Sequence, residues 1–136
     1  MAAQRDAARR AYEAPLRNKI EQLGRFVFDA TFRVELDGEL AIRSRTLDGK
    51  TIDVGSLSGG AQEQLALLTR LAAALLVDEA DGVPVLLDDA LGYSDPRRLE
   101  GLGALLSHAG EQAQILVFTC TPGRFRHIGD ATVIRL

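Results

Sequence analysis

At 136 residues and a formal net charge of −3, the chain has room for one domain or one lobe of a larger one. It carries no overall field that would draw it onto nucleic acid or an anionic membrane. A hydrophobic share of 46% suffices for a packed core, the single cysteine (Cys120) excludes a disulfide framework or multi-cysteine metal site, and the longest apolar stretch, residues 65–77, is shorter than the about 20 residues a bilayer span needs.

Residues 4–24 read as a helix, with Leu16, Ile20 and Leu23 on one stripe and Gly24 as the stop. Pro15 predicts a kink or two shorter helices. From Phe26 the period changes to two. Phe26, Phe28, Ala30, Phe32, Val34 and Leu36 alternate with mostly polar neighbours, the pattern of a half-buried strand. Asp37-Gly38 predicts a hairpin turn with positive φ at both central positions, and the return strand starts at Leu40 and Ile42. A second turn at Asp48-Gly49 leads to a short strand around Ile52 and Val54. This is an antiparallel meander.

Ser58 then caps a helix whose stretch to Val77 is apolar almost all round and should be buried. Asp81-Gly82 makes a turn. Residues 83–87 are a continuous apolar run ending in Asp88-Asp89, which predicts a buried parallel strand with its functional end at the carboxyl side. Asp95-Pro96 opens another helix with Leu99, Leu102, Leu105 and Leu106 on its apolar face. Residues 115–118 and 132–134 read as further strands, and strand–helix–strand at this spacing is right-handed by default. Arg5, Arg9 and Arg10, and again Arg124 and Arg126, read as solvated surface charge.

Three segments carry chemistry. Leu57-Ser58-Gly59-Gly60-Ala61-Gln62 sits at a helix start, where glycines let a phosphate approach the backbone and unpaired N–H groups face it. A plain N-cap followed by a glycine turn explains the same residues. Asp88 and Asp89 at a strand end suit Mg²⁺, which takes oxygen ligands and keeps several waters. Asp88 would hold the ion and Asp89 would orient or deprotonate water, whereas the plainer alternative is a solvated loop start. Ser94-Asp95 follows, with Asp95 as an N-cap in either case.

Together, in this order, the segments resemble the ABC ATPase superfamily. Leu57 to Gln62 is similar to its signature loop, Val83 to Asp89 to its Walker B strand, and Leu91 to Asp95 to its D-loop. The hairpins, and Glu63-Gln64-Leu65-Ala66-Leu67 after the signature, resemble the SMC, SbcC and YhaN branch rather than transporter ATPases. The resemblance implies an α/β fold: a P-loop NTPase-like half-domain with parallel core strands, preceded by an N-terminal helix and an antiparallel β-hairpin region. It implies residues 1–25 as the end of a coiled coil and 26–136 as the C-terminal lobe of the head. ATP and Mg²⁺ are the implied cofactors. Ser58, Gly59, Gly60 and Gln62 would contact nucleotide, Asp88 the metal, and Asp89 and Asp95 would serve catalysis. A P-loop lobe, a second head and DNA are the implied partners; the lone cysteine fits a reducing cytoplasm, and the apolar stretches are too short to predict a membrane span.

These residues contain no phosphate loop of their own. Gly49-Lys50-Thr51 spells the end of one, but Ser44 stands where its first glycine belongs, and a hairpin turn accounts better for Asp48-Gly49. The Asp88-Asp89 pair departs from the family's commoner Asp-Glu. Cys120 or Thr121 stands where the family has its switch histidine, and neither His108 nor His127 is given a role. Two functions follow: a head lobe that hydrolyses ATP only with a P-loop lobe, or a non-catalytic module that regulates a partner ATPase.

Overall fold

The computed structural model describes residues 2–136 except Asp78, Glu79, Asp81, Gly82 and Tyr93, so the expected Asp81-Gly82 turn and one residue of the 91–95 segment lie outside the described residues. The chain opens with α1 (Ala2–Gly24), whose buried residues are the Leu16, Ile20 and Leu23 stripe and Gly24. Pro15 does not divide this helix. Ala11 and Pro15 are both exposed, so water can satisfy the carbonyl that a proline leaves without a donor. Leu23 and Ile20 are fully buried within the main hydrophobic cluster, and α1 lies along the second helix.

The strand expected from Phe26 starts later. After Gly24 the chain turns on itself, with the Val27 and Phe28 N–H groups both donating to Gly24 O at 3.0 and 2.8 Å. Phe28 and Phe32, four residues apart, stack with ring centroids 4.8 Å apart. A methyl group on Gly24 would lie 2.1 Å from the Phe32 ring. The aromatic residues thus pack on the end of α1 instead of lining a strand. Phe28 also lies beneath Arg98, whose guanidinium carbon is 4.3 Å from the ring centroid. In this turn the hydroxyl and backbone N–H of Thr31 both donate to the Asp29 carboxylate and hold it below the usual carboxylate range.

A depressed folded-state value contributes stability that is present above the unfolded carboxyl pKa of about 4 and is lost as pH falls through the lower folded value. Urea midpoints should therefore separate Asp29→Asn from the parent chain near neutrality, and the gap should close on acidification. A gap independent of pH would refute this assignment.

The three-stranded antiparallel sheet has the order β1 (Arg33–Leu36), β2 (Ile42–Leu47), β3 (Lys50–Asp53). At the first turn the left-handed residue is Leu40 (φ 65°), not Asp37 or Gly38. Leu40 N–H donates to Asp37 O and Asp37 N–H to Ala41 O, giving a three-residue loop in place of the tight turn expected. The Asp37 carboxylate adds bonds to the Glu39 and Ala41 N–H groups, which offset the cost of a leucine at positive φ. Asp48 (φ 52°) and Gly49 (φ 76°) do form a two-residue turn, with Leu47 opposite Lys50. Lys50 therefore begins a strand and opens no phosphate loop.

The long buried helix, α2 (Gly59–Val77), leads to β4 (Val85–Asp88), α3 (Pro96–Gly110) and β5 (Ile115–Phe118), with β4 and β5 paired in parallel. The three faces of α3 have separate tasks. Leu102, Leu105, Leu106 and Ala109 fill the core. Arg98, Gly101 and His108 face the turn after α1: Arg98 Nη1 donates to Val27 O at 3.1 Å, and the His108 ring lies 4.9 Å from Phe26. Gly103 and Ser107 receive the last segment of the chain, where Gly129 N–H donates to Ser107 Oγ at 2.9 Å.

Two expectations fail at the parallel sheet. Residues 132–134 form no strand and are exposed. Strands β4 and β5 are covered on one face alone: Val85 and Leu87 are buried, but Leu86, Leu116 and Phe118 on the other face are 52%, 40% and 50% exposed. A parallel strand reads as continuously apolar because both its faces are normally covered. Here the second face is bare.

Candidate functional site

Ser58 caps α2 as its residue type dictates. Its Oγ accepts from Ala61 N–H at 3.2 Å, and Gln62 Nε2 donates to Leu57 O at 3.0 Å. Ser58 and Gly59 are exposed and Gly60 is buried. Nothing lies within 4 Å of where a Cβ on Gly59 would be, so the loop backbone is open to an approaching group. Gln62 is exposed, with its amide engaged on its own loop.

Asp88 ends β4 opposite Phe118 and is exposed. Asp89 N–H donates to Phe118 O at 2.9 Å, extending the ladder by one bond, and then the chain leaves the sheet abruptly. Asp89 (φ 49°) and Leu91 (φ 70°) are both left-handed, a conformation that costs a non-glycine residue on the order of 1–3 kcal/mol unless its surroundings hold it. The Asp89 carboxylate remains 68% exposed, with Arg124 Nη1 3.8 Å away. Asp95 is exposed and caps α3, its Oδ1 accepting from Arg98 N–H at 2.9 Å, with Pro96 in the first helical turn as expected.

Among the described residues no hydrogen bond joins Ser58 to either carboxylate. The two regions are joined instead through α2. Glu63 Oε1 accepts from Leu91 N–H at 2.5 Å, and Gln64 Nε2, on a side chain buried to 4% exposure, donates to Ser94 Oγ at 3.0 Å. Arg124 is no solvated charge: its side chain is 20% exposed and donates to Ala90 O at 3.2 Å. Arg9 similarly donates to Gly38 O and ties α1 to the first hairpin. Sequence reading missed the tasks of Glu63, Gln64 and Arg124. The available signal was a polar pair placed just where α2 becomes apolar.

Thr121 and Cys120 follow β5 and are exposed, and His127 packs against Gly103 on α3. Among the described residues no group of three or more His, Cys, Asp or Glu side chains gathers as a metal cage. Mg²⁺ needs less: one or two carboxylates with waters and phosphate oxygens, and exposed Asp88 and Asp89 fit that donor set. No described helix is long and apolar enough to cross a membrane.

No protein-family profile matches the sequence. Uncharacterized proteins of Mycobacterium tuberculosis and Mycobacterium bovis are 48% identical over all 136 residues, and the chain spans 16% of their length. A structure solved in work on ATP-driven dimerization and DNA-stimulated activation of SMC ATPases superposes with a TM-score of 0.70 at 16% identity, over 95% of this chain and 82% of the other. The SMC head domain from Thermotoga maritima superposes at 0.66 and 20% identity, over 94% of this chain and 45% of its own. With its N-terminal helix, antiparallel hairpin sheet and parallel strand pair, the chain has the fold of SMC ATPase head domains, a P-loop NTPase fold.

Proposed function

We propose that this chain is the C-terminal lobe of an SMC-like ATPase head, of the SbcC and YhaN type, which completes a nucleotide site with a P-loop lobe. The observation that carries the reading is the bare apolar face of β4–β5. Leu86, Leu116 and Phe118 stand exposed together on the strands that end at Asp88, the kind of surface that marks a docking site. The P-loop lobe covers that face and brings the β- and γ-phosphates to the carboxylates.

Asp88 would hold Mg²⁺, directly or through water, and Asp89 would orient or deprotonate the attacking water. The ion, when bound, would neutralise charge on the phosphates. Ser58, Gly59, Gly60 and Gln62 face the γ-phosphate held by a second head, using the open N-terminus of α2. Asp95, at the start of α3, belongs to the same head-to-head surface. Residues 1–25 end a coiled coil, residues 26–136 form the lobe, and the output is DNA repair or chromosome maintenance, with DNA held mainly by its phosphates.

ATP hydrolysis should be absent in the chain alone, appear on mixing with a P-loop lobe from the same source, and vanish in Ser58→Arg and Asp89→Asn. Leu116→Glu places a charge on the bare face and should weaken association of the two lobes at least tenfold without unfolding the chain. A mixture that binds yet never hydrolyses ATP would replace this reading with a regulatory module. Turnover by the chain alone would refute the exclusion of Lys50.

A further inference from the structure

The peptide group between Ala90 and Leu91 is gripped at both poles. Its oxygen, Ala90 O, accepts from Arg124 Nη1 at 3.2 Å, and its N–H, on Leu91, donates to Glu63 Oε1 at 2.5 Å. The residues on either side of Ala90 are the left-handed Asp89 (φ 49°) and Leu91 (φ 70°). Neither is a glycine, so this backbone is not one the segment adopts unaided. The two gripping side chains come from different elements. Glu63 lies one turn past Gly59 on α2, and Arg124 lies in the short 3-10 helix after β5 (Pro122–Phe125). Leu91, next to the gripped peptide, is 1% exposed and anchors the turn in the core.

We infer that Glu63 and Arg124 are positioning residues that aim the Asp89 carboxylate by fixing the Ala90–Leu91 peptide. The inference rests on the nucleotide-site reading of Asp89. A rotation of that peptide would change ψ of Ala90 and φ of Leu91, and by moving Ala90 would displace the turn that carries Asp89 off the end of β4. The grip resists rotation from both ends, because each pole of the peptide would have to leave a charged partner, and such bonds are the stronger kind. Arg124 Nη1 also lies 3.8 Å from Asp89 Oδ1, so one guanidinium touches both the peptide and the side chain that the peptide directs. Glu63 shares its helix with Ser58's loop. Displacement of the α2 N-terminus by a ligand therefore pulls on the same peptide.

The test uses the intact chain, with Glu63→Ala, Glu63→Gln and Arg124→Ala. Glutamine keeps an oxygen acceptor for Leu91 N–H, and alanine does not. Amide exchange followed by NMR should quicken at Leu91 by about tenfold in Glu63→Ala and stay near the parent rate in Glu63→Gln. The backbone resonances of Asp89 should move in Glu63→Ala and in Arg124→Ala. In the mixture with a P-loop lobe, Glu63→Ala should lower kcat about tenfold with KM for ATP unchanged, and Glu63→Gln should restore it.

Unaltered Leu91 exchange in Glu63→Ala overturns the proposal, as does faster exchange with the Asp89 resonances unmoved. Failure of glutamine to rescue kcat also overturns it. If the parent mixture hydrolyses no ATP, the nucleotide-site reading itself has failed. The exchange and Asp89 resonances then decide separately whether the grip exists.

Discussion

Gly101→Ala is expected to destabilise the chain by about 2–3 kcal/mol, although alanine is the better helix former by about 1 kcal/mol. Gly101 lies within α3, where a Cβ would stand 2.4 Å from Phe26 O and 3.1 Å from Val27 Cα. Both obstacles are backbone, so no side chain can swing aside. The helix would have to move off the turn that follows α1. That movement would also lengthen the Arg98 bond to Val27 O and open the contact between Arg98 and the Phe28 ring. Thermal unfolding should show a midpoint lower by roughly 10 °C. Gly110→Ala supplies the comparison, because nothing lies within 4 Å of its Cβ position. A Gly101→Ala midpoint equal to that of Gly110→Ala would mean that α3 does not press on Phe26 as described.

Asp88→Asn should depress ATP turnover in the two-lobe mixture by on the order of 100-fold or more, the scale on which removing a preorganised electrostatic partner acts. Asp88 and Asp89 are neighbours, yet their substitutions should differ in kind. Asp88 continues the ladder opposite Phe118, and its side chain projects from the bare side of the sheet with Leu86. Asp89 has already turned into the left-handed region and lies beside Arg124. With Asp88→Asn, raising Mg²⁺ should recover part of the turnover. With Asp89→Asn, it should recover none. Equal losses with no Mg²⁺ dependence in either variant would remove Asp88 from the metal site.

Local chemistry was enough to place much of the chain from its sequence. Ser58 and Asp95 as helix caps, the Asp48-Gly49 turn and the apolar α2 each depend on residues close in sequence. The stripe of Leu16, Ile20 and Leu23 was visible for the same reason. Where the reading failed, a distant partner had decided the outcome. The alternation from Phe26 to Phe32 suited a strand, but Gly24 offered the Phe32 ring a seat on α1, and Arg98 covered Phe28 from α3. The continuous apolar run before Asp88 predicted a strand covered on both faces, whereas one face is bare in this chain.

At the candidate site the division is sharper. Side-chain chemistry, order along the chain and the resemblance to ABC ATPases singled out Ser58, Gly59, Gly60, Gln62, Asp88, Asp89 and Asp95 as candidates. Nothing in that order shows that Glu63 and Arg124, 61 positions apart by 124 − 63, meet at one peptide group. A hydrogen bond to a backbone N–H leaves no mark in the sequence of its acceptor, since any residue but proline supplies the donor. The sequence by itself determined which groups are present and how each short segment starts and stops. Only the tertiary structure decided which distant groups Glu63, Gln64, Arg98 and Arg124 would satisfy, because those bonds form only after α2, α3 and the parallel strands have packed.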